Sequence, residues 1–452
     1  MSEIYPALYR TARLFYPGGM EKRKLQRELE RSQWLPREDL EAQRLANLQK
    51  MVKHAYEDVP YYHNLFVQMN IHPEDIKTFE DFQALPFLTK DVIATHLEEL
   101  VSKDFRQKMY MRTSGGSTGE PMKFYVDDAF WRWANVLEWR GSSWYGVREG
   151  DKVAWIWGAR RDLPESNWVA RIKSNLKNRR FLNCNYLTPK KMQDFAEMLV
   201  RWKPAMFIAY PSAITIFAQY VRDSGIKGIH PRLIETTSEK VVGSQRRLLE
   251  EVFECPVADS YTTSELGQIA YQCEKGSLHV CEGCYLEIIS NGQPVQPGQM
   301  GEVVVTSLNN YAMPFIRYKL GDVSVEESGT CSCGRELPVL REIVGRKSDF
   351  ISTADGGLYS DDFVELLQVK PEIAGYQAYQ PDLDHLEVRI VCKQEVDSIW
   401  LENVRRELED YFGARLQVSI RVVDSIELTR AGKLRHVLSD VNAYLFNSII
   451  CC

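Results

Sequence analysis

A chain of 452 residues, 44% hydrophobic and 26% charged, has room for two to four domains and for a core that needs no cross-links. Disordered, collagen-like and disulfide-scaffold classes are excluded by that composition. Lys and Arg number 56 against 62 Asp and Glu, and the net charge of −6 argues against nucleic acid or a membrane surface as partner. No run of 18 apolar residues occurs, because Met198–Val221 is broken by Arg201, Lys203 and Pro204, so no membrane span is expected. Arg10 and Arg13 interrupt the aromatic N-terminus, which lacks a signal-peptide core, and the expectation is a cytoplasmic protein. The Cys451–Cys452 pair reads as a frayed tail in preference to a lipidation site.

In chain order, charged and apolar residues mix at helical spacing from Glu21 to Glu57, and the first 105 or so residues are predicted to be mainly helical. From Asp151 to Val325 short β-branched runs alternate with helical stretches. Lys152–Trp157, Ala205–Ala209, Val257–Ser260, Gly301–Thr306 and Val323–Glu326 are predicted strands. A helix is predicted after Pro211, capped by Ser212 and striped by Ile214, Phe217 and Tyr220. Strands alternating with helices imply an α/β core with ligand loops at strand ends. Leu386–Val391 and Leu416–Val422 alternate as strands around an amphipathic helix Ser398–Tyr411, a small α+β domain. The expected division is a large domain, 1–346, and a small mobile one, 347–452, with a hinge at Gly345–Asp349.

Chemistry concentrates in a few segments. Thr113-Ser114-Gly115-Gly116-Ser117-Thr118-Gly119-Glu120-Pro121 can turn successive N–H groups into one concavity and add hydroxyl donors, which suits phosphate. It is not a Walker A loop, and alone it would read as a surface turn. Tyr261-Thr262-Thr263-Ser264-Glu265 ends a strand with a carboxylate suited to Mg²⁺ on phosphates, beside an aromatic suited to stacking on a base. Tyr318-Lys319-Leu320-Gly321-Asp322 places an acid at a strand end, where it can accept from a ribose diol. The plain alternatives are a helix cap for Glu265 and an Asx turn for Asp322. Cys184, Cys255 and Cys392 read as single buried thiols. Cys273, His279, Cys281, Cys284, Cys331 and Cys333 gather as soft ligands, and a reducing compartment favours metal over disulfides.

These motifs, with Gly345–Asp349, Gly432-Lys433, His54-Ala55-Tyr56 through Val59-Pro60-Tyr61-Tyr62, and Leu85-Pro86-Phe87-Leu88-Thr89-Lys90, resemble the adenylate-forming ligase superfamily. Within it the chain resembles the phenylacetate–coenzyme A ligase branch, which includes capsule-biosynthesis homologues. The resemblance implies that a carboxylic acid and ATP give an acyl-adenylate and that a thiol then displaces AMP. It implies that Ser114, Gly115, Gly116, Ser117, Thr118 and Gly119 hold phosphates, Ser264 the α-phosphate, Glu265 Mg²⁺, and Tyr261 the adenine. Asp322 and Arg346 would grip the ribose, Lys433 would bridge carboxylate and α-phosphate, and Asp349 would be the pivot. Glu235–Lys240, with Ser238 and Glu239, stands where the branch has a Gly-containing adenine-contact motif. Ser352–Ser360 departs from the branch's usual turn, which bears on the acceptor step. Several members of the branch look alike in joining Cys-x5-His to Cys-x-Cys-Gly-Arg, here Cys273, His279, Cys331 and Cys333 as a structural Zn²⁺ site. Cys281-x-x-Cys284 competes as a ligand pair.

Seven of ten tryptophans fall between Trp131 and Trp168. They read as a substrate wall or, preferably, as a helix packed on Trp155-Ile156-Trp157. Three functions remain open: a ligase forming a coenzyme A thioester; adenylation followed by amide transfer to an amine in surface-polysaccharide or natural-product assembly; and a non-catalytic zinc-stabilised binding protein. The particular acid and the oligomeric state, homodimer included, are not legible.

Overall fold

The computed structural model describes residues 5–6, 9, 11, 18–105, 109–114, 122–158, 172, 174–327, 329–346, 350–355, 358–359, 363, 366–367, 370–427 and 435–441. Gly115 to Gly119, Trp168, Asp349, Lys433, Cys451 and Cys452 lie outside the described residues.

The N-terminal part is helical as expected: α1 (Gly19–Ser32), α2 (Arg37–Asp58), α3 (Pro60–Met69), α4 (Phe79–Gln83) and α5 (Lys90–His96). Pro60 opens α3, where a missing N–H costs nothing. Thr78 and Asp81 cap α4 reciprocally, and Thr89 caps α5 by accepting the Val92 N–H at 3.3 Å. Leu48, Met51, Val52 and Ala55 of α2 bury their stripe with Tyr62 and Phe66 of α3 in one core with Val303, Val305, Phe315 and Tyr318.

A hairpin of β1 (Tyr110–Thr113) and β2 (Lys123–Val126) precedes α6 (Asp128–Ser143), which Asp127 caps through the Phe130 N–H at 2.8 Å. Then come β3 (Val153–Trp157), β4 (Arg179–Asn183), α7 (Pro189–Trp202), β5 (Met206–Ala209), α8 (Pro211–Asp223), β6 (Leu233–Thr237), α9 (Gly243–Phe253) and β7 (Val257–Thr263). Antiparallel strands follow: β8 (Gly267–Gln272), β9 (Leu278–Val280), β10 (Cys284–Ser290), β11 (Gln293–Pro294), β12 (Met300–Ser307), β13 (Tyr318–Glu327) and β14 (Val339–Arg346). Strands β3 to β14 make one twelve-stranded sheet, ordered 11-10-12-13-14-9-8-7-6-5-3-4. Its β4-β3-β5-β6-β7 part is parallel. Helices α7, α8 and α9 cover one face of that part through Phe195, Phe217 and Phe253, while Trp139 of α6 packs on the other. Burial on both faces explains why β5 reads as an unbroken apolar run.

Two local expectations are corrected. Ser212 lies inside α8 and does not cap it; its N–H donates to Glu239 Oε2 at 3.0 Å, so a carboxylate from the β6–α9 loop faces the positive helix end. Asp322 sits within the ten-residue β13, not at a strand end. There the pairing with β12 slips between Glu302 and Val304, and Gly321 adopts φ 80°, so a bulge re-aims the acid.

The C-terminal part has a short hairpin, β15 (Ile351–Ser352) with β16 (Leu358–Tyr359), then β17 (Ile373–Gln380), β18 (His385–Cys392), α10 (Ser398–Tyr411), β19 (Gln417–Val422) and β20 (Val437–Ser439). The last four strands form a separate sheet, ordered 19-18-17-20. Val404 and Leu408 of α10 close a core of its own with Leu386, Val388 and Ile390.

Candidate active site and metal-ligand cluster

The β7–β8 turn carries the first group of candidate residues. The backbone reverses after Thr263, whose hydroxyl accepts the Leu266 N–H at 3.1 Å, leaving Ser264 half-buried and Glu265 buried in the turn. No helix follows, so Glu265 is not a helix cap. Burial raises its carboxyl above the usual range, against the charges of Lys90 and Arg346. Tyr318 lies within hydrogen-bonding reach of it.

Tyr261 and Asp322 lie on strands that are not neighbours in the sheet, yet the Tyr261 hydroxyl donates to Asp322 Oδ2 at 2.6 Å. Arg346, opposite Asp322 in the β13–β14 register, brings Nε to 3.5 Å from Asp322 Oδ1. Burial, then the Asp322 charge, push the Tyr261 hydroxyl far up, so it stays a donor. Four of the expected residues, Tyr261, Glu265, Asp322 and Arg346, are therefore brought together.

Ser114 closes the neck of the 115–121 segment: its hydroxyl accepts the Met122 N–H at 3.0 Å and its N–H donates to Met122 O at 2.8 Å. Its hydroxyl thus serves the hairpin, a job the phosphate reading did not foresee. Ser238 holds φ 74°, a left-handed conformation that glycine adopts without strain, and Thr237 joins Thr262 by a hydroxyl pair at 2.9 Å. Glu239 serves α8, as noted above.

Two cations were given no role in the sequence. Leu88 is stitched beside β13 by Leu88 N–H to Arg317 O and Lys319 N–H to Leu88 O, both 3.0 Å, which brings the exposed Lys90 toward Glu265. Arg317 anchors that segment: its guanidinium binds Gln83 O and Leu85 O, pairs with Glu287 at 2.9 Å, and lies 4.3 Å from the Phe87 ring. The available signal was their adjacency to the quoted motifs at 85–90 and 318–322.

Cys273, His279, Cys331 and Cys333 place their ligand atoms all within 4.8 Å of one another. Cys273 and Cys331 Sγ are 3.7 Å apart, and Cys333 Sγ is 3.3 Å from His279 Nε2. A tetrahedron with Zn–S of about 2.3 Å and Zn–N of about 2.0 Å has edges of about 3.8 and 3.5 Å, so the spacing fits. Burial lowers His279 to about 4, keeping the imidazole neutral. Trp144 meets that ring edge-on at 5.9 Å, and Arg335 stacks between Trp144 and Trp34 at 4.2 and 4.8 Å. Cys281 and Cys284 are not part of the group; they are buried in hydrophobic clusters. Trp131, Trp144, Trp155 and Trp157 pack on other rings, as Trp155 does with Phe181 and Trp157 with Tyr210.

Residues 353–440 match the family model described as the CapK C-terminal domain. The chain is similar to Protein CapK of Staphylococcus aureus, 24% identical over 421 residues that cover 89% of each protein. It is also similar to a phenylacetate-coenzyme A ligase of Pseudomonas putida, 26% identical over 423 residues, covering 88% of this chain and 93% of that one. Among solved structures, 2-hydroxyisobutyryl-CoA ligase in the postadenylation state superposes with a TM-score of 0.76 at 20% identity, covering 91% of this chain and 92% of that one. The fold is thus the mixed α/β fold of adenylate-forming enzymes, with their C-terminal domain.

Proposed function

Because the chain has the adenylate-forming fold and homologues among the phenylacetate–coenzyme A ligases and CapK, we propose that it is an AMP-forming acid–thiol ligase. It activates a carboxylic acid with ATP, releasing pyrophosphate, and passes the acyl group to coenzyme A. The observation that carries this reading is the meeting of Tyr261, Glu265, Asp322 and Arg346 from distant strands.

In this reading Tyr261 stacks on adenine beside the backbone of Ser238 and Glu239, and Asp322 with Arg346 holds the ribose. Ser264 contacts the α-phosphate, and the 114–119 loop cradles the outer phosphates. Glu265 would hold Mg²⁺, which offsets phosphate charge when bound; the buried carboxyl is a hard oxygen ligand. Lys90 adds positive charge from the large domain. Lys433, on the small domain, stabilises charge that accumulates on the α-phosphate. One interface cannot hold both Lys433 and the incoming thiol at one carbonyl, so the small domain turns about Asp349 between half-reactions. Cys273, His279, Cys331 and Cys333 would hold a structural Zn²⁺, with no position left for substrate.

ATP–pyrophosphate exchange across a panel of carboxylic acids, with and without coenzyme A, tests the proposal. No exchange with any acid would refute adenylation. Exchange without coenzyme A-dependent AMP release would favour the second reading, amide transfer to an amine in surface-polysaccharide or natural-product assembly. The use of ATP and coenzyme A supports a cytoplasmic location; among the described residues no helix is long and apolar enough to cross a membrane.

A further inference from the structure

Strands β14, β9 and β8 separate β13 from β7 in the sheet, and still the Tyr261 hydroxyl of β7 reaches Asp322 Oδ2 of β13 at 2.6 Å. Pairing is irregular on both sides of this contact. The β7–β8 register slips between Tyr261 and Thr262, and the β12–β13 register slips beside Gly321 and Asp322. Such bulges re-aim side chains, and here they turn two distant ones toward each other.

The direction of the Asp322 carboxylate depends on its partners, because the last torsion of an aspartate is broad. Close packing at the bulge does not fix it: Gly321 holds φ 80° with no atom within 4 Å of where a Cβ would stand. Arg346 is a weak restraint. Its Nε is 3.5 Å from Oδ1 and its side chain is 42% exposed, where water screens the pair. The Tyr261 bond is much shorter and runs to a charged acceptor in a residue only 7% exposed, which places it in the stronger class of hydrogen bond. Of the two, the tyrosine restrains the carboxylate more. Its ring is half-buried and packs against the core of the large domain, so the hydroxyl is held as firmly as the strand itself.

We infer that Tyr261 is a positioning residue as well as a stacking surface: its hydroxyl aims the Asp322 carboxylate at the ribose diol of ATP, and selection of that diol depends on this bond. The inference rests on the adenylation reading and gives Tyr261 a second task, which the ring alone cannot perform. A phenylalanine offers adenine the same ring but lets the carboxylate turn toward Arg346 and water. Its effect should therefore fall on the sugar hydroxyls and spare the base.

Calorimetry with Mg²⁺–ATP and with Mg²⁺–2′,3′-dideoxy-ATP, in the absence of any acid, tests this. The wild-type chain should bind ATP at least about tenfold tighter, as expected when a diol donates to a charged acceptor. Tyr261→Phe should reduce that preference to less than about threefold while its affinity for the dideoxy nucleotide stays within about twofold of wild type. Asp322→Asn should also lower the preference, and adding Tyr261→Phe to it should lower it no further, because the hydroxyl acts through the carboxylate. An undiminished preference in Tyr261→Phe, an equal loss for both nucleotides, or losses that add in the double variant would overturn the inference and leave adenylation standing. So would a wild-type chain that binds both nucleotides alike. Binding of neither nucleotide by the wild-type chain would overturn the adenylation reading together with the inference.

Discussion

Replacing Arg317 with Met removes the anchor that sets the 85–90 segment beside β13. The guanidinium and Glu287 side chains are 3% and 1% exposed, so the substitution strands a buried carboxylate. Breaking such a pair costs about 3–5 kcal/mol. The carbonyls of Gln83 and Leu85 lose their donor as well, a loss that overlaps with the first because one side chain makes all these bonds. Urea unfolding should therefore show a midpoint drop equivalent to about 4 kcal/mol at neutral pH. The pH dependence has a definite sign. Burial raises the Glu287 carboxyl even beside Arg317, and without the arginine it rises further. An acid raised in the folded state binds a proton that the unfolded state has released, so stability falls as pH rises above about 4.3, by up to about 1.4 kcal/mol per unit. The deficit of Arg317→Met should shrink toward pH 4. Arg317→Met combined with Glu287→Met should regain at least half of the loss, because apolar groups of similar size replace a buried pair without leaving a charge. A single variant within about 1 kcal/mol of wild type, or a double variant no better than the single, would refute the reasoning.

Glu265→Gln should abolish Mg²⁺-dependent pyrophosphate exchange while leaving the melting temperature unchanged, since the amide fits the turn but is a poor ligand; a matching loss of stability would assign it a structural role. Lys433→Ala should cut exchange about 10²–10³-fold with ATP still bound in equilibrium dialysis, and an unchanged rate would remove the lysine from the mechanism. Elemental analysis of chelator-free protein should find close to one Zn per chain, and Cys331→Ala with Cys333→Ala should lose both metal and thermal stability; retained metal would point elsewhere. Ser238→Gly should raise stability by about 0.5–1 kcal/mol, because relief of a left-handed serine outweighs glycine's added freedom when unfolded, and a loss of stability would show that the hydroxyl holds the turn.

Patterns local to a few residues were legible in the sequence. The period of α10, the apolar run of β5 and the strand around Val257 depend on side chains within one element, and all three were readable. So were the motif residues Tyr261, Glu265, Asp322 and Arg346, and the soft-ligand spacing of Cys273, His279, Cys331 and Cys333. Tertiary structure alone decided which of these meet. Tyr261 and Asp322 are 61 residues apart and touch only because β13 bulges at Gly321. Cys281 has metal-like spacing to Cys284, yet both turn into apolar packing, because strand pairing sets where each side chain points. Arg317 carried no signal of its own, and Lys90 none beyond its place in the 85–90 motif, since a charged residue acquires its role from what the fold leaves beside it. Sequence records the chemistry available at each position; long-range strand pairing determines which groups share one desolvated space, and there the same charge becomes an anchor or a ligand.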